Sequence, residues 1–328
     1  MVVTVPAQRM HGGEARSAVY RAMNNTFLYL VTVLIWGSTW LAIEFQLGVV
    51  APEVSVVYRY CLAAAVLFLW CKIKGLSLSF KAKDHLWFVS LGLFLFCLNY
   101  ILAYRAQVHI TSALAAIAFS MMLWINIVLS RLIFGTRAGA RVLLGALLGI
   151  VGILVLFAPQ IETVSLDDSV FFGSVLALLG ALMASCGNMV SQAAQKRNLP
   201  VMQGNAWSML YGAILTGIIA VAGGHEFNFD ATFTYITSLV YLAIFGSVVA
   251  FGAYLTLLGR IGAHKAGYAM VMFPVVALVL STLFEGLRLD FSIIIGTLLV
   301  LTGNVFVLET GVGSASNRVG IRKYLFPK

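Results

Sequence analysis

Apolar residues fall in ten runs of membrane length separated by short polar breaks: 26–47, 55–73, 85–106, 112–134, 140–158, 170–194, 203–222, 234–258, 265–284 and 291–309. About 20 apolar residues carry a helix across the hydrocarbon core of a bilayer, so each run predicts one transmembrane helix. The breaks are marked by Pro52, Gly75, Pro159, Pro200, the Gly223-Gly224 pair and Gly286, residues that end helices and make turns. They leave no room for a soluble domain. A composition that is 61% hydrophobic and 10% charged agrees with an all-α membrane protein.

The ten runs form two sets of five. Residues 103–134 lie over 253–284 at an offset of 150, matching Tyr104 with Tyr254 and Phe134 with Phe284. Slightly out of that step, Gly145 and Gly152 match Gly296 and Gly303. Five helices per set force the second set to enter the membrane from the opposite side. The chain therefore reads as two inverted five-helix repeats, 26–158 and 170–309, an architecture of transporters that bind substrate near the midplane between the halves.

Charge gives this arrangement a direction, because basic loop residues are retained on the cytoplasmic side. With the N-terminus inside, all 21 Lys and Arg except Arg59, Arg105 and Arg288 lie on that side, while most acids lie on the other. Both termini are expected in the cytoplasm, with tails at 1–25 and 310–328. The first tail is basic and lacks a secretory core and cleavage site, so the first helix is expected to stay as an anchor. The formal charge of +9 sits in loops and tails, which argues for membrane orientation and against nucleic acid as a partner. Cys61, Cys71, Cys97 and Cys186 show no metal or disulfide spacing and read as packing residues.

Trp36-Gly37-Ser38, Pro52 and Arg59-Tyr60-Cys61-Leu62-Ala63-Ala64 in the first hairpin, with Pro274, Glu285, Gly296 and Gly303 in the second half, resemble the drug/metabolite transporter superfamily and its EamA-type branch. The likeness runs from about Thr26 to Glu309. Within the superfamily the chain most resembles the YddG-type exporters of aromatic amino acids. The resemblance implies a ten-helix inner-membrane transporter of small metabolites and makes Pro274 a hinge candidate. The first half departs from the pattern, with Trp124 at the Pro position and Gly135-Thr136 without the Glu.

Candidate binding residues follow from polar and aromatic positions within spans. On the sixth helix, Ser185, Asn188, Gln192 and Gln195 fall on one face, and lipid would not tolerate such a stripe. It makes either interhelical hydrogen bonds or the wall of a cavity; the cavity is the reading for Asn188 and Gln192, and helix contact for Gln195. The first helix carries the stripe Thr32, Trp36, Thr39, Ile43 and Gln46. Asn99, Tyr100, Ser120, Trp124, Trp207, Tyr211, Tyr254, Tyr268 and Met272 add polar, aromatic and polarizable groups away from the interfacial belts. Glu44 and Arg59 are expected as a charge pair at the outer mouth, with snorkelling of Arg59 or its pairing with a substrate carboxylate as alternatives.

Enzyme chemistry has no foothold. The sequence holds no P-loop, no His-Glu-x-x-His, no Gly-x-Ser-x-Gly and no Asp inside a span. Neither a cofactor nor a metal is implied. The expectation is secondary transport of amino acids with apolar or aromatic side chains, by alternating access of the repeats. Nucleosides, organic cations and drugs are the alternative cargo, and a non-transporting receptor or assembly subunit is the alternative class.

Overall fold

The computed structural model describes residues 12–110, 115, 118–156, 168–273, 275–276 and 291–309. Every regular element among them is a helix. We number the spans α1 (Gly12–Glu44), α2 (Pro52–Ile73), α3 (Ala82–His109), α4 (Ala118–Phe134), α5 (Ala140–Leu156), α6 (Asp168–Lys196), α7 (Val201–Ala222), α8 (Phe233–Ile261), α9 (from Ala263–Ala266 through 269–273) and α10 (Phe291–Glu309). The fold is a ten-helix membrane fold of two inverted five-helix repeats. Pro274, and with it the expected hinge, lies outside the described residues.

Local sequence accounts for several helix ends. Pro52 starts α2 three residues earlier than the apolar run, because a proline in the first turn gives up no hydrogen bond and Glu53 faces the positive helix end. Gly135 closes α4 with φ of 65°, a left-handed conformation that only glycine adopts without strain. Backward, α1 continues through Ala15, Ala18 and Ala22 to Gly12, beyond the membrane-length part that begins at Asn24.

The two halves interlock about a pseudo-twofold axis. Helix α1 packs on α8 and, at the equivalent place, α6 packs on α3; α2 pairs with α7 and α5 with α10 across the axis. The repeat extends to an irregularity that hydropathy cannot register. Both α3 and α8 are interrupted by a π-helical segment, Gly92–Leu98 and Leu242–Val249, starting 150 residues apart. At Gly92 a Cβ would lie 2.7 Å from the Ser208 carbonyl oxygen and 3.0 Å from the Gly212 nitrogen. Glycine there lets the backbones of α3 and α7 touch.

Helices α5 and α10 pack through their glycines, and α9 uses the same faces. Tyr268 is fully buried between them, and its hydroxyl donates to the carbonyls of Val300 at 3.0 Å and Gly145 at 3.3 Å. A Cβ on Gly149 would come within 2.7 Å of that hydroxyl. Tyr268 thus leaves the set of cavity residues: it turns away from the molecular centre and locks α9 to α5 and α10.

Candidate functional site

A cavity opens at the centre, where α1, α3 and α4 of the first repeat meet α6, α8 and α9 of the second. Its volume is about 60 Å³, well below the roughly 300–1,000 Å³ common for small-molecule sites, so its walls must part to admit a guest larger than a few waters. Seven of the sixteen described residues in its wall are aromatic. The Trp36 ring meets Phe251, Tyr254 and Phe273 with centroids 4.7, 5.0 and 5.6 Å apart, and Trp40 meets Phe119 at 5.1 Å. Tilted and edge contacts of this kind hold rings in place and contribute about 0.5–1.5 kcal/mol each beyond burial.

The π-helical segment of α8 explains the pose of Trp36. Widening the helix leaves a carbonyl free of its usual partner, and Gly246 offers that oxygen to Trp36 Nε1 at 3.0 Å. Ser247 Oγ donates to the Leu242 carbonyl at 2.9 Å within the same segment. The indole bond thus ties α1 of the first repeat to the π turn of the second.

Two amides supply polarity. Asn188 donates through Nδ2 to the Tyr254 hydroxyl at 3.0 Å and to Asn126 Oδ1 at 3.3 Å, while Asn99 donates to the Leu95 carbonyl at 3.2 Å. Each leaves its Oδ1 buried and without a hydrogen-bond partner. A buried polar atom with no partner costs about 1–3 kcal/mol, and the two amide acceptors of this cavity are open to a donor. Among the described residues, no acidic side chain lines the cavity.

Comparison with known proteins agrees with this architecture. The EamA-like transporter family model matches the chain twice, over 25–158 and 171–309. The chain belongs to the EamA-like transporter family. It is 26% identical over 284 residues to "Uncharacterized transporter YoaV" of Bacillus subtilis, covering 86% of this chain and 96% of that protein. To the "Probable amino-acid metabolite efflux pump" of Escherichia coli it is 27% identical over 294 residues, covering 86% and 95%. A solved structure described as "Crystal structure of protein" shares the fold, with a TM-score of 0.69, 18% identity and coverage of 86% and 95%. The protein is thus a multi-pass membrane transporter rather than an enzyme, with a small molecule as its cargo.

Of the candidate residues in this EamA-like chain, Trp36, Asn99, Tyr100, Asn188 and Tyr254 meet at the cavity. Others stand elsewhere. Met272 is buried, and α9 instead turns Met270 and Phe273 to the cavity, with Tyr268 on its far side. Ser120 is buried on α4 beside Phe119, which takes the lining position, and Trp124 packs half-buried against the core. Gln192 lies beyond the cavity on α6 with its Oε1 buried and unpartnered. Gln195 crosses to the Leu255 carbonyl on α8 at 2.8 Å, a helix-to-helix contact. Trp207 and Tyr211 form a separate cluster with His85 near the α2–α3 turn.

The Glu44–Arg59 pair is corrected outright. Glu44 is exposed at the end of α1, and the ion pair of this region joins Arg105 on α3 to the buried Glu53, with His225 3.6 Å from the second carboxylate oxygen. Glu53 sits in the first turn of α2, where α3 and the α7–α8 connection converge, so tertiary packing chose it over Glu44. Arg59 instead points inward, with no access to solvent. Trp40 and Phe119 were missed as lining residues. Trp40 lies one turn after Trp36, and that spacing was a usable signal.

Proposed function

We propose that this protein carries amino acids with apolar or aromatic side chains across the bacterial inner membrane, with the central cavity as its substrate site. One observation carries the reading: both repeats contribute to a single cavity that combines an aromatic wall with two unpartnered amide oxygens. The rings suit an apolar side chain, and the amide oxygens suit an ammonium group. Alternating access would rock one repeat against the other about this point. The "Probable amino-acid metabolite efflux pump" among its relatives supports the substrate class, and "Uncharacterized inner membrane transporter YedA" of Escherichia coli supports the location. The basic-loop asymmetry supports cytoplasmic termini. Organic cations fit less well, since no acid among the described residues lines the cavity.

The test is uptake of amino acids, nucleosides and organic cations into proteoliposomes, repeated with Asn188→Ala and Tyr100→Ala at matched incorporation. We expect flux of aromatic or apolar amino acids, lowered about tenfold or more in each variant, the scale of a lost contact to a charged or stacked group. Absence of amino-acid flux would overturn the substrate class. Unchanged flux in both variants would overturn the site and leave the transporter assignment standing.

A further inference from the structure

Arg59 is 0% exposed, yet its guanidinium is poorly provided for. Its Nε donates to Ser247 Oγ at 2.9 Å, but among the described residues the terminal nitrogens reach only the Tyr104 and Tyr100 hydroxyls, each at 3.4 Å. Ordinary N–H···O bonds span about 2.7–3.2 Å, and a guanidinium has five N–H donors to satisfy. Among the described residues no carboxylate balances its charge: Glu53 is bound to Arg105, and Glu44 is exposed. A buried charge without a counter-charge is costly. The fold itself does not require one, for the position 150 residues on is the equally buried but apolar Met209.

Only a thin layer separates this charge from the cavity. Arg59 Cζ stands 4.6 Å from the centroid of the Tyr100 ring, which lines the cavity. On the other side, the point where a Cβ on Gly246 would sit is 3.0 Å from Thr39 Cγ2, another lining residue, and 3.2 Å from an Arg59 terminal nitrogen. We propose that Arg59 is the carboxylate-recognising group of the transport site, engaged when the Tyr100 ring turns aside and yields its long hydrogen bond to the substrate. The planar fork of a guanidinium matches a carboxylate in two parallel bonds. The proposal rests on the central cavity being the substrate site, and it adds that the cargo must carry a carboxylate. Asn99 and Asn188 then accept from the ammonium group, the rings hold the side chain, and amines without a carboxylate are rejected.

The test uses the full chain in lipid nanodiscs, with tryptophan fluorescence reporting binding of phenylalanine, phenethylamine and 3-phenylpropanoate. Phenethylamine, which lacks only the carboxylate, should bind the wild-type protein about tenfold or more weaker than phenylalanine, the worth of a hydrogen bond to a charged group. Arg59→Gln should abolish that difference, and Arg59→Lys should retain part of it. Equal binding of phenylalanine and phenethylamine to the wild-type protein overturns the proposal even where no Arg59 variant folds. A preference that persists in folded Arg59→Gln overturns it as well. Phenylalanine flux without carboxylate preference removes this inference alone, whereas absence of any amino-acid binding or flux removes the substrate reading beneath it too.

Discussion

Arg59 and Glu53 are both buried charges within one short stretch of α2, and they are treated differently. Glu53 has Arg105, whose side chain is 50% exposed while that of Glu53 is 1% exposed. This asymmetry gives a prediction. Arg105→Gln strands a carboxylate where water cannot reach it and should cost about 3 kcal/mol or more, the scale of breaking a buried pair. Glu53→Gln frees an arginine that can turn to solvent and should cost no more than about 1 kcal/mol. Thermal unfolding of the two single variants and the double in detergent checks this; the double variant should resemble Glu53→Gln alone. Equal losses from the two single changes would contradict the burial asymmetry. Charge in an apolar span was legible as an anomaly, but its partner was not: Glu53, on the same helix as Arg59, pairs with Arg105 of α3 instead, a contact that only packing brings about.

At the level of helices, apolar run length identified the six membrane-length helices and three shorter apolar ones among the described residues, because the hydrocarbon thickness sets it directly. The π-helical turns in α3 and α8 escaped that reading. They add a residue to a turn without changing hydropathy, and they arise where another backbone or a side chain claims the space or the carbonyl. Gly92 is such a place, with α7 against it. Gly92→Ala should force α3 and α7 apart, because the added Cβ meets backbone atoms that no rotamer change can move. The loss should be about 1–3 kcal/mol, typical of overpacking, read as a lower midpoint of thermal unfolding. An unchanged midpoint would mean that the two helices are not held at this separation. The face of α9 was also beyond reach of periodicity. Both of its faces carry large residues, so only the glycine surfaces of α5 and α10 decide that Tyr268 goes outward and Phe273 inward.

For the whole molecule, inversion of the repeats follows from an odd number of helices in each. The distribution of Lys and Arg predicts its orientation in the membrane. Cysteines introduced at Asp168 and Asp230 should react in intact cells with an impermeant thiol reagent from the periplasmic side, while one at Lys81 should not. Reversed labelling would invert the assignment. The central cavity belongs to this scale too, as neither repeat encloses it alone: Trp36 needs the Gly246 carbonyl, and Asn188 needs the Tyr254 hydroxyl and Asn126.

What the sequence determined by itself was whatever depends on one helix at a time or on comparison of one half with the other. Span number, helix class, the repeat, its inversion and the polar stripe on α6 all come from local hydropathy and from the self-similarity of the chain. Tertiary structure alone decided which members of each face meet. A helix presents residues over its whole circumference, and in a membrane the lipid-facing and core-facing sides are both apolar, so hydropathy cannot distinguish them. The close approach of α1 to α8 selected Trp36, Phe251 and Tyr254 for one wall. The crowding of Tyr60, Tyr100 and Tyr104 around α2 drew Arg59 inward, away from the acid nearest to it in the preceding helix.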